Sequence, residues 1–166
     1  MAKIVFKRGP KDRLPEKASV GEPLFTTDTH ELFMGTGKDS PIKKIGKQTK
    51  DINVICSRPQ QGTHFQYAKF KYSGTIKNID AYCGIPGDKI TEINIEKISE
   101  DDFINGIDNW TTILSNNIFI YPNQTTNDGT YELNNTEVNE NDLFRLVFVQ
   151  AGKLQKLTVQ IQIELN

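Results

Sequence analysis

At 166 residues the chain has room for one ordinary domain, or for a small module and a compact domain of about 90 residues. No apolar run approaches the about 18 residues that a membrane-spanning helix needs. The formal net charge of −1 hides a division: residues 1–75 carry 14 Lys/Arg against 7 Asp/Glu, and residues 76–166 carry 6 against 14, which marks a boundary near Gly74. The basic part shows no aromatic-basic alternation before Phe65, so it reads as a solvated or protein-docking surface and not as a nucleic-acid platform.

Residues 2–7 alternate as a first strand, with Ile4 and Phe6 on one face, and Gly9-Pro10 ends it. Lys7-Arg8 follows Met1-Ala2-Lys3-Ile4-Val5-Phe6 at once and leaves no apolar core for a secretory leader, so folding in a cytoplasm is expected. Residues 11–18 hold a single Leu and read as a loop. From Gly21 to Gly37 the pattern is a hairpin: Pro23 to Thr26 enters, Asp28-Thr29-His30 turns, and Glu31 to Gly35 returns. Pro23 removes a backbone donor and is expected to open an edge strand. A two-stranded hairpin is marginal in water, so this one requires a partner surface from its own chain or from a neighbour. Residues 38–50 are polar, broken by Ser40-Pro41 and Gly46, and read as a linker.

Ile4-Val5-Phe6-Lys7-Arg8-Gly9, Leu14-Pro15, Gly21-Glu22, Thr27-Asp28-Thr29, Leu32 and Gly35-x-Gly37 fall in an order and spacing that resembles the N-terminal module of bacteriophage fibre, head-fibre and decoration proteins, the region also found in major tropism determinants. The resemblance covers about the first 45 residues. It implies an interwoven homotrimer, or a mixed trimer with another fibre protein, at the virion-proximal end. On that basis Ile4, Phe6, Arg8, Gly9, Leu24, Phe25, Asp28, Leu32, Phe33 and Gly35 are the oligomerisation and attachment residues. Lys7, Arg8, Lys43 and Lys44 would face an acidic capsid or tail protein.

Beyond the linker, Ile52 to Cys56 and His64 to Tyr72 read as strands split by Pro59-Gln60-Gln61-Gly62. Residues 46–72 are accordingly expected to be linker and connecting strands, and residues 73–166 a β-sandwich. In that last part Thr75 to Cys83, Ile90 to Ile98, Asn117 to Tyr121, Thr130 to Leu133, Leu143 to Gln150 and Leu154 to Leu165 are strands separated by turn residues, a mainly β, antiparallel, jelly-roll-like pattern. The final strand alternates strictly, with Leu157, Val159, Ile161, Ile163 and Leu165 toward a core. Leu143 to Val149 is apolar on both faces, which places it centrally. Ser99 caps one short helix whose first turn is acidic, Gly106 stops it, and Trp110 is expected as a core or inter-sheet anchor. Ser73-Gly74-Thr75-Ile76, Asn139-x-Asn141-Asp142-x-Phe144-Arg145 and the closing alternation resemble C-terminal sandwich domains of phage fibre and decoration proteins.

Catalytic chemistry finds little footing. Gly35-Thr36-Gly37-Lys38 fails as a phosphate loop, since Leu32 stands where the first Gly belongs and Asp39 follows the Lys. Glu100-Asp101-Asp102 has no partner carboxylate marked across a cleft, and helix capping accounts for it. Asp28, His30 and Glu31 cannot complete a metal shell on one turn, unless three copies of His30 ring an axis. Cys56 and Cys83 read either as buried thiols or as one disulfide. The N-x-T triplets at Asn109, Asn123 and Asn134 carry no weight without a leader. The expectation is a non-enzymatic protein with no cofactor, no metal, no nucleic acid and no membrane partner, located on a virion surface after synthesis in the host cytoplasm. The competing expectation is a tail or baseplate module binding a receptor or host surface glycan through Trp110, Tyr121 and Tyr131, with Tyr82 as a further candidate ring.

Overall fold

The computed structural model describes residues 7–46 and 48–166, so Ile4 and Phe6 lie outside the described residues. The chain divides into two units, Met1–Gln48 and Thr49–Asn166.

The first unit contains β1 (Lys7–Gly9), β2 (Lys17–Ala18), β3 (Pro23–Thr26), β4 (Leu32–Met34), β5 (Gly37–Pro41) and β6 (Lys43–Ile45). One sheet has the order β1-β3-β4-β6, and β2 pairs with β5 in a separate ribbon. β3 and β4 are antiparallel, with Leu24 opposite Phe33, while β1 runs parallel to β3. Pro23 does open its strand, but the strand is internal and not an edge. The missing donor is tolerated because the described register with β1 begins one residue later, at Leu24. Much of the polar stretch expected as a linker is instead strand: β5 reaches Pro41, and β6 pairs with β4, with Lys44 opposite Phe33. Backbone ladders do not need apolar side chains, which is why a lysine-rich run concealed this strand.

The second unit contains β7 (Thr49–Cys56), β8 (Gly62–Lys69), β9 (Gly74–Ile85), β10 (Thr91–Ile98), α1 (Glu100–Ile104), β11 (Thr111–Thr112), β12 (Leu114–Asn116), β13 (Ile118–Ile120), β14 (Glu132–Leu133), β15 (Glu137–Val138), β16 (Leu143–Gln150) and β17 (Gln155–Leu165). One main sheet has the order β15-β9-β17-β7 and the other β11-β10-β16-β8, with β13 also pairing with β10. Every long strand lies in the opposite sheet from its neighbour in sequence, β7 from β8, β9 from β10, β16 from β17. This wrapping order is that of a jelly roll. The unit is a mainly β antiparallel sandwich, and its boundary falls at Thr49 rather than near residue 73. Surface charge changes near Gly74, but burial does not: Ile52, Val54 and Cys56 of β7 already join the core.

That core is the inner faces of the two sheets. Leu157, Val159, Ile161 and Ile163 of β17 are fully buried and meet Ile93, Ile95, Phe144, Leu146 and Phe148 of the opposite sheet within one hydrophobic cluster. β16 and β17 are both internal in their sheets, as their apolar patterns require. Ser99 caps α1, its hydroxyl accepting from the Asp102 N–H at 3.1 Å. Cys56 and Cys83 are free and buried.

Candidate functional site: the N-terminal module and the exposed aromatic rings

The motif residues of the first unit form one hydrogen-bond network. Within the Thr27-Asp28-Thr29 turn, the Asp28 carboxylate accepts from Thr29 N–H at 2.9 Å and, with each oxygen at 3.0 Å, from the N–H of Lys11 on a distant segment. These bonds hold its pKa below the usual carboxylate range, the Lys11 N–H contributing most. Thr26, fully buried, closes the hairpin: its hydroxyl accepts from Glu31 N–H at 2.7 Å and lies 2.7 Å from the Thr29 hydroxyl. Glu31 pairs with Lys44 at 2.5 Å and Lys11 at 2.9 Å and accepts from the Thr29 hydroxyl, so its pKa falls to about 2, Lys44 being the largest cause. Glu22 pairs with Lys7 and accepts from Ser19 N–H at 3.1 Å, and its pKa is lowered, chiefly by Lys7.

The glycines follow from space. A Cβ on Gly35 would lie 2.0 Å from the Ser19 carbonyl oxygen, so only glycine lets these backbones approach. Gly35 is tied into the same corner by its N–H to the Glu22 carbonyl at 2.8 Å and by the Gly21 N–H donating to its own carbonyl at 2.9 Å.

What the network lacks is a hydrophobic interior. In residues 7–46 the only buried apolar side chains are Ala18 and Leu24. Phe25, Leu32, Phe33 and Met34 are half-buried, Val20 is 80% exposed and Ile45 is 43% exposed. An open groove of about 330 Å³, lined by Lys7, Arg8, Gly9, Arg13, Leu14, Pro15 and Leu24, runs beside β1. Lys7 and Lys44 are satisfied within the module, whereas exposed Arg8 and Lys43 have no acidic partner among the described residues.

The rings singled out for glycan contact are dispersed over the second unit. Trp110 is half-buried, outside the core cluster and packed on residues of a single sheet, a correction to its expected role as core or inter-sheet anchor. It lies near-parallel to Tyr67 with centroids 5.6 Å apart, meets Phe103 edge-on, and has the Arg145 guanidinium 4.0 Å from its ring centroid. Arg145 donates to Glu96 at 2.7 Å. Sequence reading missed this group, although Tyr67 and Arg145 each occupy an outward position of an alternating strand. Tyr121 is 41% exposed and stacks on Phe119. Tyr131 is half-buried against the core, its hydroxyl accepting from Ile79 N–H at 2.8 Å and donating to Asn78 at 2.7 Å. The structure does not bring Trp110, Tyr121 and Tyr131 together around one cavity. Among the described residues, no group of three or more His, Cys, Asp or Glu is placed to hold a metal ion, and no helix is long and apolar enough to cross a membrane.

No protein family, curated protein or solved structure matches the chain.

Proposed function

We propose that the protein is a non-enzymatic structural component of a bacteriophage virion, a short trimeric head fibre or capsid decoration protein that attaches through residues 1–48 and carries the jelly roll as its second part. The observation that supports this reading is the module's imbalance. Its backbone is fixed by a dense polar network, yet among the described residues its apolar side chains, Phe25, Leu32, Phe33 and Met34 among them, have almost no interior of their own to enter. Burying such side chains against symmetry mates is the favourable route for a unit this small. The resemblance of its R-G, G-E, T-D-T and G-x-G residues to phage fibre modules points the same way. Arg8 and Lys43, without an acidic partner among the described residues, would meet an acidic capsid or tail surface.

Light scattering of the full chain tests it. The expected mass is about three times 18.8 kDa, and Phe33→Asp should convert the trimer to monomer while leaving the jelly roll folded. A wild-type monomer at micromolar concentration overturns the trimer. Immunogold labelling or cryo-EM of intact particles then assigns head or tail. A second reading, a tail or baseplate module that binds a receptor or glycan, draws support from the exposed rings of Tyr67, Tyr82 and Tyr121, because jelly rolls serve as lectin domains as well as capsid domains.

A further inference from the structure

We propose that the outer face of the β15-β9-β17-β7 sheet carries a binding site for a neutral saccharide built around Tyr82. It deepens the glycan reading, gives it a location different from the Trp110 group, and does not require trimerisation.

The site is a cavity of about 520 Å³, within the roughly 300–1,000 Å³ common for small-ligand sites. Its floor is sheet. Asp80 and Tyr82 alternate outward on β9 around buried Ala81, and Gln160 of β17 stands opposite Asp80 in register. Its wall is the loop of residues 126–129, fastened to the strand edge: Asn127 N–H donates to the Ala81 carbonyl at 2.9 Å, and Ala81 N–H donates back to the Asn127 side-chain oxygen at 3.0 Å.

The chemistry of the lining selects the ligand. Tyr82 is 43% exposed and offers an uncommitted ring to the apolar C–H face of a pyranose. Around it the polar groups are already held in place while keeping bonding capacity. One Asp80 oxygen is engaged by the Asn78 amide at 2.8 Å, leaving the other. The Gln160 amide nitrogen donates to Asp51 at 2.7 Å, leaving its oxygen to accept. Asp128 is fixed by the N–H and hydroxyl of Thr130, at 3.0 and 2.8 Å. Asn127 spends its oxygen on Ala81 and keeps its amide N–H groups. Pre-positioned acceptors with one donor suit a ligand rich in hydroxyls. Among the described residues no lysine or arginine lines the cavity, and the Asp80 and Asp128 carboxylates repel anionic sugars.

The test is calorimetric titration of the full chain with cellotetraose, maltotetraose and chitotetraose, with tetragalacturonate as the anionic control. At least one neutral oligosaccharide should saturate the protein, and Tyr82→Ala should weaken that binding roughly tenfold or more. Tyr82→Phe and Trp110→Ala should leave it within about twofold. Should Tyr82→Ala fail to fold by circular dichroism, Gln160→Ala decides in its place. The proposal is overturned if no neutral oligosaccharide saturates at millimolar concentration, if tetragalacturonate is preferred, or if Trp110→Ala abolishes binding while Tyr82→Ala does not. Light scattering on the same samples keeps the two questions apart, since a monomer that binds sugar sinks the assembly reading and leaves this site standing.

Discussion

The two units solve the same problem with opposite means. In Thr49–Asn166 the sheets are fixed by what they exclude from water: Ile79, Ile93, Ile95, Phe144, Leu146, Leu157, Val159, Ile161 and Ile163 are all fully buried. In residues 7–46 geometry is fixed by polar bonds, with three carboxylates, Glu22, Asp28 and Glu31, each tying the hairpin to another segment. Exposed charge pairs are worth little each, typically about 0–1 kcal/mol, whereas a buried large side chain contributes about 1.5–3 kcal/mol. Polar networks therefore specify the module's shape without supplying much of its stability. The jelly roll has both.

The largest effect that separates them is a cavity in the sandwich. Phe144 is fully buried on an internal strand, and Phe144→Ala should cost about 3–5 kcal/mol in urea-unfolding experiments. A loss under about 1 kcal/mol would mean the core collapses around the gap far better than its packing implies. Next comes Gly35→Ala in the module. The added Cβ meets backbone of Ser19 and Ala18, which cannot rotate aside, so about 1–3 kcal/mol of local destabilisation is expected. Hydrogen exchange should report it as faster exchange of the Gly21 and Gly35 amides with the jelly-roll amides unchanged. Equal acceleration in both units would remove the distinction drawn between them.

How well each unit could be read in advance follows from the same contrast. The long strands of the sandwich announce themselves because burial imposes alternation, as in Leu157-Thr158-Val159-Gln160-Ile161. The loop of residues 126–129 falls among the turn residues between strands, but nothing in the sequence marks it as the wall of a cavity, because its bond to Ala81 joins residues far apart in sequence. β6 stayed hidden inside Lys43-Lys44-Ile45 because its partner is a backbone ladder and its side chain answers an ion pair with Glu31. The reach of Asp28 to the Lys11 N–H was invisible for the same reason: an aspartate in a turn predicts a local bond to Thr29, which is present, but not the longer one. Trp110 was misplaced because bulk alone suggests a core, while its partners, Tyr67 and Arg145, come from the outer face of a sheet.

Acid offers a graded way to separate the units. Glu22, Asp28 and Glu31 all have lowered pKa values in the folded module, Glu31 at about 2 against its ordinary 4.5. A depressed carboxylate contributes stability that is present above its unfolded pKa and lost as pH falls through its folded pKa. The module should therefore loosen between about pH 4.5 and about pH 2. In the sandwich, Asp142 is 3% exposed and burial raises its pKa. Its contribution has the opposite sign: stability is gained as pH falls through its folded pKa toward its unfolded one. Amide exchange of Lys11, whose N–H is held by Asp28, should rise through this window before that of the core strands. Simultaneous loss would show that the carboxylate bonds are not what holds the module's shape.

The smallest effect concerns the thiols. Cys56 on β7 and Cys83 on β9 are both register partners of Leu157, one on each side of β17. Two strand spacings put their Cα atoms roughly 9–10 Å apart, beyond the about 7 Å that a disulfide bridges. Both are buried, and burial pushes both thiols above their ordinary pKa, which keeps them in the unreactive protonated form near neutrality. Oxidant should therefore leave the melting temperature unchanged, and a chromogenic thiol reagent should titrate both cysteines only after denaturant is added. A thiol that reacts at once in the native protein would mean that one edge of the sandwich opens where the packing at Leu157 says it is closed.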